Sequence, residues 1–136
     1  MLKEFGLSGR WSRDCHDTGA NNGWTIYDIP KDGPVTAEGY RGGDSAATLR
    51  FRDLVLSAEV LPDDQLRISS RIEFPLGLED KRVLVLKRVG GQIRNMQVSV
   101  TQLDKVIDRI KDGVFVLTGK ETPLLNHCDG DLPPVQ

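Results

Sequence analysis

From Gln65 to Phe74 the chain alternates with a period of two, placing Leu66, Ile68, Ile72 and Phe74 on one face and Arg67, Ser69, Arg71 and Glu73 on the other. Successive side chains of a strand point to opposite sides of the sheet, so this segment reads as a β-strand with one dry and one wet face. Ser70 is the one polar residue aimed into the dry row. Such a strand needs partners before it is stable in water, and the rest of the chain has to supply them.

It does so in short apolar segments separated by turn formers. Gly9 to Cys15 reads as a first strand, followed by a loop dense in Asp, Asn and Gly from Asp17 to Gly23. Trp24 to Ile29 is aromatic and β-branched and is stopped by Pro30, and Val35 to Tyr40 returns. Ala47 to Arg52 alternates with Leu49 and Phe51 inward; Asp53 marks a tight turn or bulge, and Leu54, Leu56, Ala58 and Val60 then share a face. Lys81 to Val89 is a strongly apolar strand closed by Gly90-Gly91, and Ile93 to Val100 pairs with it, placing Met96, Val98 and Val100 on one side. Leu103, Val106, Ile107 and Ile110 recur at helical spacing after a Thr101-x-x-Asp104 cap, which predicts one or two helical turns. Gly113 to Gly119 is expected as the last long strand, and Thr122 to Cys128 brings the chain back. A short amphipathic turn is expected over Met1 to Leu7.

About eight short strands with frequent turns and at most one or two short helices predict an all-β protein, either an antiparallel up-and-down barrel or a sandwich. The barrel is preferred, because closure removes the edge strands that a sandwich must protect. With 136 residues the chain has room for one core. The expected organisation is a single barrel domain over residues 1–128 and a flexible C-terminal tail over 129–136.

Eighteen basic and twenty acidic residues give a net charge of −2, which supplies no general attraction to nucleic acid or to an anionic membrane. Arg50, Arg52, Arg67, Arg71, Arg82, Lys87, Arg88 and Arg94 fall on consecutive strands and allow a basic outer stripe or simply a solvated face. No interleaved aromatic platform accompanies them, so nucleic acid is not an expected partner. The longest apolar runs, such as Val83 to Leu86, fall far short of the ~20 residues of a membrane span. Met1-Leu2-Lys3-Glu4-Phe5 has no apolar leader core; a mature domain stripped of its leader reads the same way. A monomer or homodimer is expected.

The two cysteines, Cys15 and Cys128, lie near the first and last strand candidates, and a disulfide between them would join the ends of the sheet as closure requires. Two reduced buried thiols in a cytosolic protein are the alternative. A third reading takes Cys15, His16, His127 and Cys128 as a zinc site. Its ligand types are right, but its spacing departs from the pairs two to four residues apart that tetrahedral sites use, so no metal is expected.

Gly9-x-Trp11 resembles the lipocalin and calycin group, whose first strand carries a Gly-x-Trp after a short N-terminal turn. The resemblance implies that Gly9 and Trp11 close the barrel floor under a basic side chain from near the last strand, for which Arg109 and Lys111 are the candidates. Ile110-Lys111-Asp112-Gly113 and Gly119-x-x-Thr122-Pro123-Leu124-Leu125-x-x-Cys128, with Trp11 to Cys15, are similar to small exported bacterial proteins. That similarity implies an extracytoplasmic location, periplasmic or secreted, and a disulfide.

Catalytic chemistry has little footing. Neither histidine has a serine or cysteine nucleophile set in a recognisable elbow, and Gly39-Tyr40-Arg41-Gly42-Gly43 lacks the lysine and strand-to-helix context of a phosphate loop. No cofactor is expected. The expected function is non-enzymatic binding of a small, largely apolar ligand in the barrel interior, lined by Phe51, Leu56, Ala58, Ile68, Ser70, Ile72 and Met96. The other expectation is an exported structural or interaction module filled by its own side chains, for which Leu49, Phe51, Leu56, Leu66, Ile68, Ile72, Phe74, Val85, Met96 and Val98 are available. Ala58 and Ser70, being small, argue for a cavity.

Overall fold

Antiparallel neighbours in sequence pair with each other nearly all the way around this chain. The computed structural model describes residues 5–17, 19–43 and 48–128. Its strands are β1 (Gly9–Ser12), β2 (Gly23–Asp28), β3 (Thr36–Arg41), β4 (Thr48–Leu61), β5 (Gln65–Phe74), β6 (Glu79–Val89), β7 (Gln92–Gln102), β8 (Lys105–Lys111), β9 (Val114–Phe115) and β10 (Leu124–Cys128). β1 through β7 run in order, β10 pairs with β1, and β10 also pairs with the start of β7, where Leu124 meets Arg94 and Asn126 meets Gln92. These eight strands form a closed antiparallel barrel. β8 and β9 continue from the far half of β7, where Gln102 pairs with Lys105.

The seam at β10 is tied by side chains as well as by backbone. Gln92 Nε2 donates to Asn126 Oδ1 at 2.9 Å, and Asn126 Nδ2 donates to the Arg13 carbonyl at 3.0 Å. Cys15 and Cys128 are disulfide-bonded, with 5.4 Å between their Cα atoms. Their sulfurs are therefore bonded to each other and are not thiolates, which removes both the reduced-thiol and the zinc readings. The loop carrying Cys15 is held by Asn22, whose Nδ2 donates to Ser12 Oγ and to the carbonyls of Asp14 and Asp17.

One end of the barrel is packed. Leu7, Trp11, Tyr27, Ala37, Leu66, Ile68, Leu86 and Ile93 form a buried apolar cluster. Trp11 Nε1 donates to the Leu7 carbonyl at 2.8 Å, so the indole is buried without stranding its N–H. Its partner is not Arg109 or Lys111. The ring of His127 meets the Trp11 ring edge-on at 4.9 Å, while Arg109 reaches Glu79 and Lys111 pairs with Val114. Gly9 has φ 114°, and a Cβ there would run into the His127 ring.

Two local expectations are corrected, and a third is decided between its alternatives. Residues 101–112 are a hairpin, not helical turns: Leu103 and Asp104 take left-handed φ of 48° and 66°, the geometry of a two-residue turn between paired strands. Gly113 to Gly119 is not a long strand, since only Val114 and Phe115 pair before the chain turns. Asp53 is not a tight turn, because β4 runs unbroken through it, but the other alternative, a bulge, holds there: the register with β5 shifts between Arg52 and Asp53. The expected N-terminal turn lies largely, and the C-terminal tail wholly, outside the described residues. No helix among them is long and apolar enough to cross a membrane.

Candidate functional site

Above the packed end, the barrel encloses a cavity of about 260 Å³. Its apolar lining comes from Ala37, Ile68, Leu84, Val98, Val100 and Leu125. Interspersed with these around the barrel are the polar residues Thr25, Tyr27, Asp53, Ser70, Arg82 and Asn95, together with Phe51, Glu79 and Arg109.

The polar part of the lining includes an ion pair. Asp53 on β4 and Arg82 on β6 reach toward each other across β5, and Arg82 Nη1 donates to Asp53 Oδ2 at 2.7 Å. The Asp53 side chain is 4% exposed and that of Arg82 19%. The guanidinium also lies over the Phe51 ring, 4.3 Å from its centre, so it is held by a carboxylate and an aromatic face together. Phe51 can occupy that place because its neighbour on β3 is Gly39, where a Cβ would collide with the ring.

Asp53 uses only one of its two oxygens. Oδ1 is buried and has no hydrogen-bond partner among the described residues. Burial pushes the Asp53 carboxyl up to about 6, and Arg82 pulls against that rise without cancelling it. Tyr27, fully buried beside it, has its hydroxyl held in the neutral form first by burial and then by the negative charge of Asp53. Arg109 Nη2 donates to Glu79 Oε1 at 3.1 Å, in a more exposed setting. The two acids and two bases of the lining thus cancel.

Two vestibules adjoin this space. One, lined by Ile72, Pro75, Leu78 and Gln102, shares Glu79 and Arg82 with the cavity. The other, beside Trp24, Tyr40 and Arg50, shares Thr25, Phe51, Asn95 and Leu125.

Of the seven residues expected around a ligand, Phe51, Ile68 and Ser70 line the cavity. Ile72 is buried and lines the adjoining vestibule, and Ala58 packs against the apolar cluster below. Leu56 and Met96 do not face inward, and the reason is the same for both. On β4, Val55 pairs with Ser70 and Ser57 with Ser69, so Leu56 is an extra, bulged residue and is 60% exposed. On β7, Gln97 pairs with Val85 and Asn95 with Leu86, so Met96 is bulged and its Cε packs near Gly113. A bulge reverses the phase of a strand, and alternation counted across one assigns the wrong face.

Asp53 and Arg82 were missed for related reasons. An aspartate between two apolar runs reads as punctuation, and Arg82 falls among basic residues that suit an outer row. The available signal was phase: Asp53 is two residues beyond the inward Phe51, and Arg82 two before the inward Leu84. Three outward arginines of that row face carboxylates, Arg52 with Glu38, Arg67 with Glu59 and Arg71 with Glu73, while Arg88 lies over the Phe5 ring and Arg94 donates to the Gly113 carbonyl.

The chain matches no protein-family model, and no curated protein and no solved structure is similar enough to it to count as a match.

Proposed function

We propose that this protein is a non-enzymatic binder of a small, largely apolar molecule, held in the interior of a lipocalin-like barrel. The observation that carries the reading is the cavity of about 260 Å³ inside a closed eight-stranded barrel. Drug-sized sites run to ~300–1,000 Å³, so the molecule is a small one. An apolar lining with a few polar groups is the usual make-up of such a site. The Gly9-x-Trp11 start, with Trp11 buried at the packed end, agrees with a calycin-like architecture. The Cys15–Cys128 disulfide suits an oxidising, extracytoplasmic compartment. The other expectation, a module filled by its own side chains, has to account for a cavity of this size lined by Ile68, Leu84 and Val98.

Naphthalene, neutral and without polar groups, is a suitable first probe. Saturable binding by ligand-observed NMR is expected for the wild type and is expected to disappear in Ser70→Phe, whose ring fills the cavity while strand content by circular dichroism is retained. Absence of any binding of naphthalene or its hydroxylated analogue to the wild type, together with unfolding of Ser70→Phe, would favour the filled module.

A further inference from the structure

A phenol hydroxyl stands in the barrel interior without a protein partner. Tyr27 belongs to the buried apolar cluster and keeps only 5% of its surface accessible. Its ladder neighbours are small, Gly9 on β1 and Ala37 on β3, which leaves its ring room inside the barrel. A phenylalanine would fill the same place without a polar group. A buried hydroxyl costs free energy unless it is hydrogen-bonded, and a buried tyrosine usually finds a partner for its O–H.

Where that hydroxyl is open follows from which atoms are sealed. Among the described residues, the buried side-chain polar atoms that are both closed to water and without a partner are Arg10 Nε, Trp24 Nε1 and Asp53 Oδ1. The hydroxyls of Tyr27 and Ser70 are not of that kind. Neither makes a hydrogen bond among the described residues, so each is within reach of a water-sized molecule, and both residues line the cavity. Water serves such groups when no ligand is bound, and a ligand that displaces it has to replace its hydrogen bond.

The inventory of donors and charges narrows what can do so. The sealed atom of the Asp53–Arg82 pair is an acceptor, whereas Arg82 gives one N–H to Asp53 and its Nε and Nη2 are neither partnered nor sealed. Toward an occupant the pair therefore offers donors. Tyr27, kept neutral by burial and by the charge of Asp53, adds an O–H to them. Asp53 with Arg82 and Glu79 with Arg109 leave the lining without net charge. An ion entering this space would lose its hydration without an unpaired counter-charge to receive it, a cost that a neutral acceptor does not meet.

Resting on the ligand-binding reading above, we propose that the cavity selects neutral, largely apolar molecules carrying a carbonyl, a ketone or an ester, and that the Tyr27 hydroxyl donates to the carbonyl oxygen. The ring of Tyr27 serves the packing of the barrel, and its hydroxyl serves the ligand.

Tetralin, 1-tetralone and indole are probes of similar size that offer, in turn, no hydrogen bond, an acceptor and a donor. Tyr27→Phe removes one unpartnered hydroxyl and keeps the ring. Relative to the wild type, this variant is expected to bind tetralone about three- to tenfold more weakly, the range of a neutral hydrogen bond, and to bind tetralin and indole within about twofold. The carbonyl stretch of bound tetralone, read by infrared difference spectroscopy, should lie below its frequency in hexane for the wild type and move back toward it for Tyr27→Phe. Should that variant fail to fold, the wild-type spectrum decides alone, and a stretch at the hexane frequency would overturn the proposal. Unchanged tetralone affinity in a folded Tyr27→Phe protein would also overturn it. A loss shared equally by all three probes would assign the hydroxyl to packing and overturn the carbonyl selectivity while leaving the apolar-ligand reading standing. Binding of none of the three to the wild type would overturn both.

Discussion

The ring of Phe51 occupies the space that a Cβ on Gly39 would take up, across the β3–β4 ladder where the two residues are paired. The missing side chain at position 39 lets an aromatic ring lie flat against the sheet and present its face to the Arg82 guanidinium. Arg82 in turn holds Asp53. A glycine on β3 thus bears on the orientation of an ion pair that joins β4 to β6.

Gly39→Ala is expected to displace the ring, because the added Cβ would collide with three of its carbons. The expected loss is about 1–3 kcal/mol, the usual cost of overpacking. Chemical denaturation measures it. A double-mutant cycle with Phe51→Leu checks the cause, since the two losses should be markedly less than additive.

Asp53 makes stability depend on pH in an unusual direction for a carboxylate. Its folded value lies near 6 against an ordinary 3.8, so between those values the folded protein binds the proton more tightly than the unfolded chain. Stability from this group is fully present below about pH 4 and is lost as pH rises through about 6. The rise of about two pH units corresponds to about 3 kcal/mol. Unfolding free energies at pH 4 and pH 7 should therefore change more favourably on acidification for the wild type than for Asp53→Asn. An identical pH dependence in the two proteins would show Asp53 to be unperturbed.

Reduction of the disulfide, or Cys15→Ser with Cys128→Ser, is expected to destabilise the barrel without opening it. The bridge spans 113 residues of sequence, for which chain entropy alone gives about 4–5 kcal/mol, an upper figure for real bridges. The β10–β1 and β10–β7 ladders and the Gln92–Asn126–Arg13 hydrogen bonds remain. The denaturation midpoint should fall while the circular dichroism spectrum of the native protein stays that of a β-barrel.

The bulges make a pair of contrasting substitutions informative. Leu56→Ala removes an exposed side chain and should change stability by no more than about 0.5 kcal/mol. Ile68→Ala hollows the buried apolar cluster and should cost about 2–5 kcal/mol. Equal costs would mean that β4 is not bulged at Leu56.

Much of the architecture is local and was therefore legible. Alternation from Gln65 to Phe74, the Gly90-Gly91 turn and the cysteines near the two chain ends each follow from neighbours in sequence or from simple pairing of the only two thiols, and together they predict the antiparallel barrel and its bridge. Residues 101–112 show the limit of that legibility. Leu103, Val106, Ile107 and Ile110 have a helical spacing, yet extended pairing of β8 with β7 overrides it, because ladder partners far from a residue's own window settle weak local preferences.

The sequence by itself determined the class of fold, the strand that fixes its phase, and the inward positions of Phe51, Ile68 and Ser70. Only the tertiary structure decided where that phase reverses, at Leu56 and Met96, and that Asp53 and Arg82 meet inside the barrel. The physical reason is that a bulge is defined by two residues facing one across a ladder, and a buried ion pair by strands 29 residues apart brought to 2.7 Å. Neither relation exists until the strands are paired.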